Sequence, residues 1–388
     1  MNDLRPVALT SVIMKCFERI VLKHIKSCFS PHQDSLQFAY RSGRSVDDAI
    51  SVFLDNVYSH LDKPRAYCRI LFVDFSSAFN TIQPHILANK LKNDLNMNIY
   101  LVSWILEFLT NRTQYVNFCS SKSSVITTNT GAPQGCVISP VLFTIYTNDC
   151  SINTDNIKLI KFADDSTIQG LIQNDDDRDY FDFIEYFTNW CDNHYLLLNV
   201  RKTKELIIDF RVKKDPILPI SIKGETVTIV HQYKYLGIII DDKLEWDPHS
   251  SSVHSKMQQR LFFLRKLNSF HIDSKILYLF YTSVIESILL FCFHAWGGNI
   301  KADQVNHLQS TIKRCLSICG TELYSITFLL DKVTSSKFSR ILKDNTHPLF
   351  SRISFSKRRE GRLLSIRTKT ERHLKSFIPR AIRNYKIK

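Results

Sequence analysis

Three acids stand where chemistry can be done. Asp74 ends the apolar run Ile70-Leu71-Phe72-Val73, and Asp164 and Asp165 stand together in Lys161-Phe162-Ala163-Asp164-Asp165. In both places an apolar strand meets a polar turn at the acid. A carboxylate beside buried strand ends is costly unless a cation compensates it. Carboxylates converging from two neighbouring strands offer hard oxygen ligands, which suit Mg2+. Two such ions would activate an attacking hydroxyl and neutralise a triphosphate. By itself the doublet also reads as a pair of exposed turn aspartates. Arg41 and Arg44 carry guanidinium forks that match phosphate, though each alone reads first as a surface arginine. Lys202, alone, reads first as a solvated helix-end lysine and otherwise as a candidate proton donor.

The elements that must hold these groups follow from periodicity. Residues 2–26 read as a turn and an amphipathic helix, with Val12, Ile13, Cys16, Phe17, Ile20 and Val21 at helical spacing. A short strand and turn over 38–43 lead to a helix over 46–60. The strand that ends near Asp74 spans 69–75 and is followed by helices over 77–91 and 100–109. A strand over 114–118, a turn at 131–135 and a helix over 139–148 come next. Residues 157–168 read as strand, turn and strand, with the acid pair at the turn. A helix over 179–197 begins in the acidic run Asp175, Asp176, Asp177 and Asp179, which suits that end of the dipole. A strand over 205–210 and shorter strands reach Ile240. After Pro248 the pattern is helical, over 250–268, 273–296 and 302–318.

Charge divides the chain unevenly. The net charge is +14, and residues 331–388 hold 17 Lys/Arg against 4 Asp/Glu. The body is therefore close to neutral and the tail strongly basic. A basic tail points to an anionic partner, nucleic acid first, or to a solvated end. Hydrophobic residues at 44% exclude a mainly disordered chain. The ten cysteines are scattered, several of them in apolar runs, which fits reduced thiols inside a cell. Cys315 and Cys319 lack a second Cys/His pair at zinc-finger spacing. The apolar stretch 276–296 contains Glu286 and His294, so it reads as a buried helix rather than a membrane span.

Seven motifs in order resemble those of reverse transcriptases, and in particular the LINE-type, non-LTR retrotransposon polymerases. Phe162-Ala163-Asp164-Asp165 resembles the second catalytic motif, and Phe72-Val73-Asp74-Phe75-Ser76-Ser77-Ala78-Phe79-Asn80 the first. Gly131-Ala132-Pro133-Gln134-Gly135-Cys136-Val137-Ile138-Ser139-Pro140 is similar to the segment between them. Asn199-Val200-Arg201-Lys202-Thr203 resembles the lysine motif, and Tyr235-Leu236-Gly237 the primer grip. Arg5-Pro6-Val7 and Gln37-Phe38-Ala39-Tyr40-Arg41-Ser42-Gly43-Arg44-Ser45 resemble finger motifs. The likeness covers about residues 2–320, and His347-Pro348-Leu349 and Ser376-Phe377-Ile378-Pro379 extend it into the tail.

The resemblance implies an α+β right-hand polymerase. Fingers and palm with an antiparallel sheet take 1–245, a helical thumb 246–322, and a basic C-terminal extension 323–388. The fingers are expected to be incomplete at the N-terminus. Asp74, Asp164 and Asp165 would hold two Mg2+ ions, with Mn2+ as the alternative. Lys202 would act with them as the acid. Arg41, Arg44, Phe79, Gln134 and Gly135 would bind the nucleotide. Phe79 would pack under the sugar, and Gln134 and Gly135 would open a helix beside a base pair. Tyr235, Leu236 and Gly237 would grip the primer. On the thumb, Lys256, Arg260, Arg265 and Lys266 fall at helical spacing for phosphate contact. Partners would be template RNA, a DNA primer, dNTPs and the element's own transcript, with no membrane; the location would be intracellular, in nucleus and cytoplasm. The rival is a catalytically inactive, truncated remnant that binds nucleic acid.

Overall fold

Ala66–Val73 (β1) is buried at every residue, as an apolar run with β-branched and aromatic residues requires of a central strand. The computed structural model, which describes residues 7–214, 216–322, 324–356 and 362–385, places it in the middle of a five-stranded sheet. Its companions are Ile157–Phe162 (β2), Asp165–Gln173 (β3), Lys204–Asp209 (β4) and Thr228–Val230 (β5), in the order β5-β4-β1-β3-β2. β1 is antiparallel to both neighbours: Val73 lies opposite Ser166 on β3, and Phe72 opposite Lys204 on β4. Gln232–Tyr235 (β6) and Ile238–Asp241 (β7) form a separate hairpin.

Strand alternation divides the core in two. Cys68, Ile70 and Phe72 point to one cluster, and Tyr67, Leu71 and Val73 to the other. Val12–Phe29 (α1), Ile99–Leu109 (α3), Ser139–Tyr146 (α4) and Arg178–Asn193 (α5) cover the second face. Val46–Leu61 (α2) covers the first, and its start is a capping box: Ser45 N and Oγ both donate to the Asp48 carboxylate, at 2.8 and 2.7 Å. Asp247–Ser269 (α6), Ala302–Cys319 (α7), Ile326–Leu342 (α8) and Phe377–Asn384 (α9) complete that side.

The molecule is thus a mixed α/β fold with one main sheet and many helices. Four expected elements differ. The segment 77–91 is one tight turn, Ala78–Asn80, and a helix that starts at Pro84, because proline suits a first helical turn. The strand expected over 114–118 is two short strands, Arg112–Gln114 and Asn117–Phe118, in separate hairpins. The stretch 38–43 carries turns and a single bridge, Gln37 to Lys161, rather than a strand. The apolar helix over 273–296 is broken: it runs through a π turn to Leu290, turns at Phe291 and Cys292 (φ 51°), and restarts at Phe293. Among the described residues no helix is long and apolar enough to cross a membrane.

The described part of the basic tail is folded rather than solvated. Phe338, Ile341, Phe377 and Ile378 are buried in the same cluster as Val57 and Tyr58 of α2. Three of its cations pair across the fold or within the extension, Lys337 with Asp48 at 2.7 Å, Arg352 with Asp55 at 2.9 Å and Arg380 with Asp331 at 2.9 Å. His373 meets Asp62 at 2.6 Å.

Candidate functional site

Register brings two of the three acids together. Because Val73 faces Ser166, Asp74 leaves β1 beside Asp165, the first residue of β3. β2 and β3 are joined by a two-residue turn, Phe162 lying opposite Asp165. Ala163 occupies that turn at φ 58°, where hairpins of this type favour glycine. An alanine there costs roughly 1 kcal/mol, and the surroundings hold it. The Ala163 N–H donates to Gln37 Oε1 at 3.3 Å, which also accepts from Ala39 N at 3.0 Å. Gln37 is 2% exposed. Its segment runs along the edge of β2: Lys161 N donates to Leu36 O at 2.9 Å and Phe38 N to Lys161 O at 3.0 Å. Lys161 Nζ completes the lacing at 3.0 Å from Asp34 and 2.6 Å from Cys150 O.

The main chain of Asp74 is gripped by the turn after α5. Its N–H donates to Thr203 Oγ1 at 3.2 Å, and its carbonyl accepts from Asn199 N at 2.9 Å. Lys202 sits on this turn with its side chain in solvent. The acids face phenols. Tyr233 stacks on Phe72 with centroids 3.9 Å apart; burial and then the charges of Asp165 and Asp74 raise its pKa. Burial and then Asp164 raise that of Tyr40. Tyr235 is buried against Phe53 and Phe72. Leu236 (φ 45°) and Gly237 (φ 98°) make the β6–β7 turn, and a Cβ on Gly237 would lie 3.0 Å from the Phe291 ring.

Among the described residues no group of three or more His, Cys, Asp or Glu is gathered closely enough to hold a metal unaided. The donor set nonetheless suits Mg2+. That ion takes one or two protein carboxylates and fills its shell with water and substrate phosphate oxygens. Asp74 and Asp165 supply the adjacent pair, with Asp164 next in the turn.

The remaining expected residues are spread around this point. Phe79 is half-buried in the turn after Asp74, its ring stacked on Phe143 at 4.8 Å. Its carbonyl accepts from Ala132 N at 2.8 Å, tying the first motif to the Gly131–Pro140 segment. Gln134 and Gly135 do not open a helix, since α4 begins only at Ser139. They form a turn against the N-terminal segment: Ala8 N donates to Gln134 O at 2.6 Å, and a Cβ on Gly135 (φ 104°) would meet Ala8 O at 2.9 Å. The glycine is needed here for a close approach of protein backbone. Arg5 and Pro6 of the first finger motif lie outside the described residues. Arg41 Nη1 donates to Asp34 O at 3.0 Å, and burial, then Arg44, lowers its pKa. Arg44 turns its fork to the extension, 2.5 Å from Asp344 and 2.9 Å from Thr346. On α6, Lys256, Arg260, Arg265 and Lys266 are exposed while Val253, Met257, Leu261 and Leu264 are buried.

Two supporting acids escape the sequence reading. Glu18, fully buried on α1, accepts from Val137 N at 2.5 Å and Ile138 N at 3.1 Å, closing the turn before α4. A lone acid in the apolar stripe Cys16–Val21 is the signal for it. Glu205 takes both ends of the Arg69 fork, at 2.8 and 3.2 Å, beneath the sheet; Arg69, inside an apolar strand, is the corresponding signal.

The chain is similar to known proteins. The family described as reverse transcriptase (RNA-dependent DNA polymerase) matches residues 1–240. A short match over 246–287 is to the N-terminal part of alkylated DNA repair protein alkB homolog 8. The probable RNA-directed DNA polymerase from transposon BS of Drosophila melanogaster is 24% identical over 82% of this chain and 37% of its own length. That from transposon X-element of the same species is 22% identical over 88% and 38%, and that from mobile element jockey 23% over 81% and 36%. The chain thus spans under two-fifths of the length of these curated relatives. A solved telomerase from Candida tropicalis in complex with an RNA fragment aligns at TM-score 0.43 and 12% identity, over 85% of this chain and 55% of that one. With more than half of its residues inside one family match, the chain belongs to the reverse transcriptases.

Proposed function

We propose that this chain is the polymerase core of a non-LTR retrotransposon's RNA-directed DNA polymerase, adding deoxynucleotides to a primer 3′ end on an RNA template. The observation that carries the reading is the β1–β3 register, which ends with Val73 opposite Ser166 and so brings Asp74, the next residue, beside Asp165, with Asp164 in the adjoining turn. In this reading the sheet and its α1–α5 cover are palm and fingers, to about residue 245. Residues 246–322 are the thumb and 323–388 an extension.

Asp74, Asp164 and Asp165 hold two Mg2+ ions, or Mn2+. Bound there, the metal supplies neutralisation of the triphosphate and a lowered pKa for the primer hydroxyl. Lys202, on the turn that grips Asp74, gives a proton to the departing pyrophosphate. Phe79 forms the floor under the sugar and excludes a ribose 2′-hydroxyl. Gln134 and Gly135 line the template side, and Arg41 and Arg44 bound the turn that handles the triphosphate. Tyr235, Leu236 and Gly237 hold the primer end, backed by Phe291. The exposed cations of α6 contact backbone phosphates. Template RNA, primer DNA and dNTPs are the partners, the element's own transcript among the templates. The buried thiols support work inside the cell, in cytoplasm and nucleus.

Primer extension by the purified chain on an RNA template tests this. Wild type extends in Mg2+, whereas Asp164→Ala retains less than about a tenth of the rate, more than 1.4 kcal/mol in barrier, with its circular dichroism unchanged. No extension by wild type, or robust extension by the variant, overturns the reading.

A further inference from the structure

The turn Tyr40–Ser45 stands between two parts of the molecule. On one side Tyr40 lies within the electrostatic reach of Asp164, and Gln37, just before it, holds Ala163 of the acid-bearing hairpin. On the other side the turn is held by residues some 300 positions later. Arg44 Nη1 donates to Asp344 at 2.5 Å and Nη2 to Thr346 at 2.9 Å, and the Arg44 side chain is 2% exposed. Thr346 N and Oγ1 donate in turn to the other Asp344 oxygen, at 3.0 and 2.7 Å. The next residue, Ser45, is fixed by Asp48 Oδ2. Asp48 Oδ1 accepts from Lys337 Nζ at 2.7 Å and from His347 Nε2 at 2.8 Å. Asp48, Lys337 and His347 are all buried. His347 Nδ1 accepts from Leu349 N at 3.1 Å, so its proton is on Nε2, aimed at Asp48.

A guanidinium occupied by a carboxylate and a hydroxyl is oriented rather than free to follow a phosphate. Arg41, three residues earlier, carries the turn's other guanidinium. We propose that the extension segment 337–347 is a positioning element of the nucleotide site: Asp344 and Thr346 fix Arg44, Lys337 and His347 fix Asp48, and together they set the turn that presents Arg41 to the triphosphate. The proposal rests on the polymerase reading above. It assigns the C-terminal extension a part in nucleotide affinity without contact to substrate.

The test uses the full chain on an RNA template with a dideoxy-terminated primer, so that the next dNTP binds without reacting, followed by steady-state extension on a normal primer. Asp344 is one-third exposed, but its loss leaves the buried Arg44 fork with Thr346 as its side-chain partner, so Asp344→Ala is expected to fold with a melting temperature lowered by a few degrees. It should weaken dNTP binding about tenfold, the change that losing one charge-assisted hydrogen bond produces. KM for dNTP should rise by the same factor and kcat stay within about twofold. Asp344→Asn, which keeps an acceptor for Arg44, should recover most of the affinity. Thr346→Val, which removes the exposed hydroxyl's two hydrogen bonds, one accepted from Arg44 and one donated to Asp344, gives a second reading if Asp344→Ala melts too early to assay. Wild-type dNTP affinity in both Asp344→Ala and Thr346→Val overturns the positioning role and leaves the polymerase reading standing. A wild-type chain that binds template and primer but no dNTP overturns both.

Discussion

Removing Arg69 should weaken the fold far more than removing it together with Glu205. The two side chains are 1% and 0% exposed. Arg69 donates to both Glu205 oxygens, to Asp177 at 3.0 Å and to Leu218 O at 2.9 Å. Glu205 has one further donor, the Tyr180 hydroxyl at 3.2 Å. Arg69→Met leaves Glu205 buried with that single partner, a situation that costs about 3–5 kcal/mol. At about 2.1 cal/mol/K per residue, 388 residues unfolding together give a fall in Tm of roughly 4–6 °C. In Arg69→Met/Glu205→Leu no charge is stranded, and most of the loss should return, because well-packed apolar pairs replace buried ion pairs at little cost. Thermal unfolding followed by near-UV circular dichroism, with all three single and double variants in one buffer, measures the coupling. A single variant within about 1 °C of wild type, or a double variant less stable than Arg69→Met, would refute the reasoning.

Phe79→Val should raise the ratio of kcat/KM for ribonucleotides over deoxyribonucleotides, measured by single-nucleotide extension; an unchanged ratio returns Phe79 to packing against Phe143. Burial lowers the pKa of His249 and His294 from 6.5 to about 4. Their folded-state values lie below the unfolded one, so their contribution is complete above pH 6.5 and is lost as pH falls towards 4. Stability in urea should therefore decline across that window, and less steeply in His294→Gln. A chain ending at Tyr324 should lose cooperative melting, since it uncovers Tyr58 and Trp296 and removes the partners of Asp48 and Asp55; a sharp transition near that of the full chain would show the extension to be dispensable.

Asp74 and the Asp164–Asp165 pair are legible in the sequence because an acid is conspicuous at the end of an apolar strand. Their order along the chain, together with the Pro-Gln-Gly and lysine segments, fixes the family. What the sequence hides is what depends on distant pairing. The tail reads as basic, yet Lys337, Arg352 and His373 meet Asp48, Asp55 and Asp62, and no local pattern links acids on one helix to bases some 300 residues away. The same distance conceals Arg44, whose guanidinium looks available until Asp344 is placed beside it. The break at Phe291 and Cys292 has no glycine or proline to announce it, and the contact beside it, the Phe291 ring against the β6–β7 turn at Gly237, joins residues far apart in the chain. Glu18 stands out as an acid among apolar residues, but what it binds does not, because its partners are main-chain N–H groups, which carry no sequence signature.

The seating of α2 also bears on synthesis. Its acids pair with residues 299 and 311 positions downstream. At about 5–20 residues per second, a ribosome needs roughly 15–60 s to make the intervening chain. During that interval the side of α2 that packs on the extension, with the acids along it, lacks its native cover. Contacts of such long sequence separation form late and slowly. Until residues 337–382 have been made, the nascent chain is therefore aggregation-prone on that side of α2, and a product cut short before residue 337 would leave that apolar side uncovered rather than be a slightly shorter enzyme.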